Sequence, residues 1–127
     1  MELADIVRTQ LAAAPAVTAI VATRIYLEEA PDEAMLPLVV YSVRLGETID
    51  GSALVAPATV QAHGYAEDDD TALALGRALR GALEGFSGQA GTTRLAWLSQ
   101  TGWDEMHSFD DNIWGRLLSF SGQAIWS

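Results

Sequence analysis

The sequence predicts an α+β domain: a mostly antiparallel β-sheet of about four to five strands with two main helices packed on one face. Three observations predict it. Between residues 36 and 66 apolar side chains recur with a period of two around the turn dipeptide Asp50-Gly51, the pattern of a half-buried hairpin. Residues 2–13 and 67–83 instead carry their apolar side chains at spacings of three and four, as amphipathic helices do. From residue 92 onward the alternation returns, interrupted by the polar turn 108–112. At 127 residues, half of them apolar, the chain (1–127) is read as a single domain with its own core.

The first helix puts Leu3, Ile6, Val7, Gln10 and Leu11 on one stripe, with Glu2 and Asp5 in the first turn, where the helix dipole favours negative charge. Pro15 ends it or starts a short second turn over residues 17–21. Residues 24–27 read as a short strand, and residues 28–36, with Pro31 and several acids, as a solvated loop. In the hairpin, Val39, Tyr41, Val43 and Leu45 share one face. Val60 and Ala62 do so in its second strand, opposite Gln61, His63 and Tyr65. Pro57 marks an edge, a bulge or the end of the loop, because it cannot donate to a ladder. The loop either projects as an arm or is an ordinary hairpin tip.

Glu67-Asp68-Asp69-Asp70 opens the second main helix, where carboxylates satisfy free N–H groups at its positive end. Ala72, Leu75, Leu79, Ala82 and Leu83 form its buried stripe, and Gly85 is the expected left-handed stop. Gly76 and Gly81 each cost about 1 kcal/mol relative to alanine in a helix, which close packing against the sheet would explain. Residues 86–91 form a glycine-rich turn. Residues 92–99, extended through 107, and residues 113–126 make a second hairpin, with Leu95 and Trp97 on one side of its first strand. Leu118, Phe120, Ala124 and Trp126 share a face of its second strand.

Composition restricts function. There is no cysteine, so disulfides and thiolate metal sites are excluded. No apolar run approaches the ~20 residues that span a bilayer, and the first residues lack the features of a signal peptide, so synthesis and use in a cytoplasm are expected. The net charge of −10, with every basic residue an arginine, argues against gripping nucleic acid. It leaves a partner with basic patches, repulsion of DNA, or plain solubility.

Little points to catalysis. His63 and His107 are the only histidines, and neither has a second histidine at ligand spacing, so no metal is expected. There is no Gly-x-Ser-x-Gly elbow and no phosphate loop, and no carboxylate pair sits in an apolar setting. The residues do not support an enzyme. Four tryptophans crowd the last third of the chain. Trp97 and Trp126 are expected in the core, while Trp103 and Trp114, where the alternation weakens, are candidates for a protein interface.

Taken in order, several short motifs form a familiar series: Arg24-Ile25-Tyr26, Leu36-Pro37-Leu38-Val39-Val40-Tyr41, Asp50-Gly51-Ser52 and Val60-Gln61 with Tyr65. A helix with Leu75, Ala78, Leu79 and Leu83 running into Gly85 follows, then a last strand with Arg116 and Phe120. Over nearly the whole chain this order and spacing resemble the tail completion, or tail terminator, proteins of long-tailed bacteriophages, prophages and gene transfer agents. The resemblance implies a lambda-type terminator fold and a homo-hexameric ring on the head-proximal end of the tail tube. Such a ring stops tube polymerisation and offers the surface to which the filled head attaches, while DNA passes through its lumen without specific binding. It implies the tail tube protein and a head-completion or connector protein as partners, a place in the virion after assembly in the host cytoplasm, no membrane, and no cofactor or catalytic residue. The sequence departs from the family at Ala58-Thr59-Val60, where a basic residue is frequent, and in the strongly acidic stretch 104–111.

On that reading the arm residues Glu47, Thr48, Ile49, Asp50, Leu54 and Val55, with Trp103 and Trp114, are the expected interface. Asp50, Glu67, Asp68, Asp69, Asp70, Asp104, Asp110 and Asp111 are the expected channel-facing acids, letting DNA slide by like-charge repulsion. The alternatives are another head–tail connector component and an acidic DNA-mimic inhibitor of a nucleic-acid enzyme. The second fits less well, because the acids cluster at loops and a helix start.

Overall fold

The computed structural model describes residues 2–47 and 54–126. In chain order the elements are α1 (Glu2–Ala13), α2 (Pro15–Val21), β1 (Ile25–Leu27), β2 (Leu38–Leu45), β3 (Val55–Ala66), α3 (Asp69–Leu83), β4 (Gly88–Ala90), β5 (Thr93–Ser108) and β6 (Ile113–Trp126). The class is the α+β one expected, but the sheet is larger and mixed. Six strands run in the order β1-β2-β3-β6-β5-β4, and β1 pairs with β2 in parallel. The short strand read at residues 24–27 is β1, at one edge, and the strand not foreseen is β4, at the other.

Alternation fixes which face is covered. Ala56, Ala58, Val60, Ala62 and Ala66 of β3 are all buried. They lie level with Val43 and Tyr41 on β2 and with Leu118, Phe120 and Ala124 on β6. One sheet face thus meets Leu3, Ile6, Val7 and Leu11 of α1, Val17 and Val21 of α2, and Leu75, Leu79 and Leu83 of α3 in one apolar cluster. Each large aliphatic side chain removed from water there contributes about 1.5–3 kcal/mol. Small side chains along β3 let α3 sit close to it: a Cβ on Gly64 would come within 2.7 Å of Leu75. Among the described residues no single helix is long and apolar enough to cross a membrane; α1 and α2 are broken at 83°.

Local chemistry sets the element ends. Ala14 takes an extended conformation and Pro15 opens α2, so the proline begins a real second helix. Asp68 caps α3, its carboxylate accepting from the Thr71 N–H at 2.7 Å. Beyond its last turn Gly85 has φ +74 and donates its N–H to the Leu98 carbonyl at 2.7 Å, which ties the end of the helix to β5. Pro57 is on an inner strand, not an edge. Its carbonyl accepts from Gly46 N–H at 2.9 Å, and its nitrogen points the same way, so the reciprocal bond it cannot donate falls just past the last paired residues of β2 and β3.

Three sequence expectations need correction. Trp97 is not a core residue: it is 69% exposed, while Leu95 is fully buried. Register shifts between Ala96 and Ser99 and between Gln100 and Gly102 break the alternation of β5, and Trp97 itself has φ 43. Gly122 on β6 makes room for this, since a Cβ there would lie 2.7 Å from the Ala96 carbonyl oxygen. Gly81 does not pack on the sheet, because a Cβ there would meet nothing within 4 Å, whereas Gly76 does. The glycine-rich turn 86–91 contains the edge strand β4.

Candidate functional site

The sheet face opposite the helices is left largely uncovered. Across it run Val40 and Ser42 of β2, Gln61, His63 and Tyr65 of β3, Leu117 and Ser119 of β6, and Asp104 and Met106 of β5. At one end the loop after β1 rises beside this face. It holds the cis Leu36–Pro37 peptide and is tied down by Arg24, whose Nε donates to the Pro37 carbonyl at 2.7 Å. Between loop and sheet lies an open cleft of about 630 Å³, with an apolar floor from Val40, Tyr65, Met106 and Ile113 and an acidic rim from Glu28, Glu29 and Asp111. Gly115 belongs to the same floor: a Cβ there would lie 2.8 Å from Met106, whose side chain crosses it.

His63 and Tyr65 project from the same strand into this cleft, with the tyrosine hydroxyl 3.4 Å from His63 Nδ1. Partial burial lowers the His63 pKa from its ordinary value and raises that of Tyr65. Both are thereby held neutral near pH 7. At the rim, Arg44 grips Glu28 through two hydrogen bonds of 2.7 and 2.8 Å, and these hold the Glu28 carboxyl below its usual range.

The acidic runs converge. Asn112 Nδ2 donates to the Glu67 carbonyl at 3.4 Å, joining the turn after β5 to the start of α3. Below them Arg116 is 3% exposed, with Nη2 2.5 Å from Asp69 and Nε 3.7 Å from Glu105. Arg116 Nε makes no hydrogen bond, so the guanidinium is held mainly through Asp69. Glu67, Asp68, Asp69, Asp70, Asp104, Asp110 and Asp111 therefore gather at one end of the sheet. Two of them carry local duties: Asp68 caps α3, and Asp69 neutralises Arg116. Asp68 is held below the usual carboxylate range by the Thr71 backbone N–H, then by its hydroxyl.

The expected interface residues are scattered. Thr48, Ile49 and Asp50 lie outside the described residues. Glu47 and Leu54 are exposed, and Val55 begins β3 level with Ile125 of β6. Trp103 is half-buried against the core, where a Cβ on Gly76 would come within 2.9 Å of its ring. Trp114 is also half-buried, stacked on His107 with ring centres 3.6 Å apart, and Phe109 packs against the edge of that histidine. The most exposed tryptophan is Trp97, with the Arg94 guanidinium 5.9 Å above its ring, and Phe109 is more exposed still. Among the described residues no three His, Cys, Asp or Glu side chains are grouped to hold a metal ion. Arg116 entered the sequence reading only within the family series, with no role in a site, although an arginine on the apolar face of β6, between Trp114 and Leu118, was a visible signal.

A helix-backed sheet that, among the described residues, leaves one broad face and stretches of both edges bare is an α+β domain with surfaces to offer other chains. The family model for the tail completion protein gp17 matches residues 6–121. The chain belongs to this family of bacteriophage tail completion proteins and is a structural tail protein. A chain in the solved "Virion of native gene transfer agent (GTA) particle" shares its fold at a TM-score of 0.83 and 19% identity, covering 98% of this chain and 95% of that one. No curated protein matches the chain.

Proposed function

We propose that this chain is a tail terminator: a ring-forming subunit, six copies to the ring, that caps the head-proximal end of the tail tube. It would stop tube growth and present the surface to which the head-completion or connector protein binds, with DNA passing through the lumen. The observation that carries the reading is the family match over residues 6–121 of the chain. The one-sided architecture supports it, because a ring needs two different, complementary surfaces on each subunit. So does the gathering of acids at one end. If those of Glu67, Asp70, Asp104, Asp110 and Asp111 that are exposed face the channel, they repel the phosphate backbone and keep it mobile. Glu47, Leu54 and Val55, on either side of residues 48–53, are the proposed contacts to a neighbour or to the tube.

The test joins native mass spectrometry and negative-stain imaging to a tube-growth assay. A six-fold ring that binds tube ends and halts elongation of tail tube protein is the expected result. A protein that binds the head side only and leaves tube growth unchanged is a connector component instead. A monomer or dimer that captures a nucleic-acid enzyme and never binds tubes would replace both readings with DNA mimicry.

A further inference from the structure

The two edges of the sheet are capped at opposite corners. On one side β1 covers only the first half of β2, with Leu27 opposite Tyr41 and the Glu28 N–H bonded to the Tyr41 carbonyl. Among the described residues no strand covers residues 42–47. On the other side β4 covers β5 only over Thr93–Leu95, and the chain just before β4 follows β5 as far as Gln100, whose N–H donates to Glu84. Residues 101–108 of β5 then have no neighbour strand among the described residues on their outer side. Unpaired edges of this kind are templates for another strand.

We infer that the bare edge at 101–108 of one copy pairs with the bare edge at 42–47 of the next, continuing a single antiparallel sheet from subunit to subunit. This rests on the ring reading above and names the contact that would close the ring. Four arguments carry it. The directions agree: β2 and β5 run oppositely within a copy, so a neighbour rotated about an axis along the strands meets β5 with an antiparallel β2. The lengths agree, because residues 103–108 can lie opposite 42–47 without meeting the strands that already cover Thr93–Leu95 of β5 and Val39–Tyr41 of the neighbour's β2. The faces agree: Arg44 and Asp104 both lie on the uncovered face, while Leu45 and Trp103 both lie on the helix side.

Register supplies the fourth argument. Residues directly opposite each other must share a face, 42–47 must fit within 101–108, and no residue of β5 can take the place that β1 holds opposite Val39–Tyr41. Arg44 opposite Asp104 would set His107 against Tyr41, where Leu27 already lies. Arg44 opposite Met106 sets Ser108 against Ser42, clear of β1, and leaves Arg44 its ion pair with Glu28. That is the register inferred.

Because the chain has no cysteine, the contact can be trapped directly. Under mild oxidation, Arg44→Cys with Met106→Cys is expected to give a ladder of covalent oligomers on non-reducing gels. Its yield should be about tenfold above that of Arg44→Cys with Asp104→Cys, since disulfides demand close Cβ atoms. Hydrogen exchange on the unmodified chain is the second readout: amides within 101–108 should slow by about tenfold or more in the ring relative to the monomer. A ring seen by native mass spectrometry, with neither pair cross-linking and with exchange at 101–108 unchanged, overturns the edge pairing and leaves the ring standing. Failure to form any ring, free or on tube ends, overturns both.

Discussion

Gly76 of α3 lies directly over Arg116 of β6, so close that a Cβ on the glycine would meet Arg116 Cβ at 2.9 Å and the Trp103 ring at the same distance. The glycine is what lets the middle of α3 settle onto a buried guanidinium. Gly76→Ala must displace a strand-bound Cβ or the ring. It should destabilise the fold by about 1–3 kcal/mol despite alanine's better helix propensity. Gly81→Ala, five residues on and facing open space, should stabilise it by about 0.5–1 kcal/mol. Urea melts of the two variants should therefore move in opposite directions.

Asp69 and Glu105 neutralise Arg116 unequally. Asp69 hydrogen-bonds it at 2.5 Å, while Glu105 approaches only to 3.7 Å and is more exposed. Asp69→Asn leaves a buried charge poorly matched and should cost about 1–3 kcal/mol. Glu105→Gln should cost under about 1 kcal/mol. Equal losses in denaturant titrations would mean that the two acids share the charge.

Stability should fall as the solution is acidified through the histidine range. His63 has a folded-state pKa below its ordinary value of 6.5, set by burial. The unfolded chain therefore takes up its proton first. Above the ordinary value both states are neutral and the histidine has no effect; below it, folding stability drops until the folded-state pKa is passed. His63→Gln should flatten the melting temperature between pH 7 and the start of carboxylate titration. A further fall sets in at lower pH as Asp68, whose pKa is depressed by its capping bonds, gains its proton and releases the Thr71 N–H.

Trp97 is the tryptophan most open to solvent. Trp97→Phe should remove the largest share of acrylamide-quenchable fluorescence from the isolated subunit while leaving its urea midpoint nearly unchanged. If the quenchable share survives the substitution, Trp97 is not the exposed ring.

The sequence revealed most where periodicity ran long. The buried stripe of α3 and the alternation of β3 follow residue for residue from spacing. It revealed least where a neighbour decides. The three-residue strand β4 is too short to show a period and exists because β5 is there to pair with it. The outward swing of Trp97 depends on Gly122, some twenty-five residues away on β6, giving the Ala96 carbonyl room. The convergence of residues 67–70 with 104–111 needed the topology, since only the neighbouring β5 and β6 carry the second run back beneath α3.

The opposite-corner capping by β1 and β4 has a consequence for how growth would end. Joined by its bare edges, each added copy buries one corner and exposes an identical one, so no subunit is chemically an end piece. Edge chemistry then cannot count. The number of copies would be set by the angle between successive sheets, and a small change in twist or curvature would turn a closed circle into an open spiral.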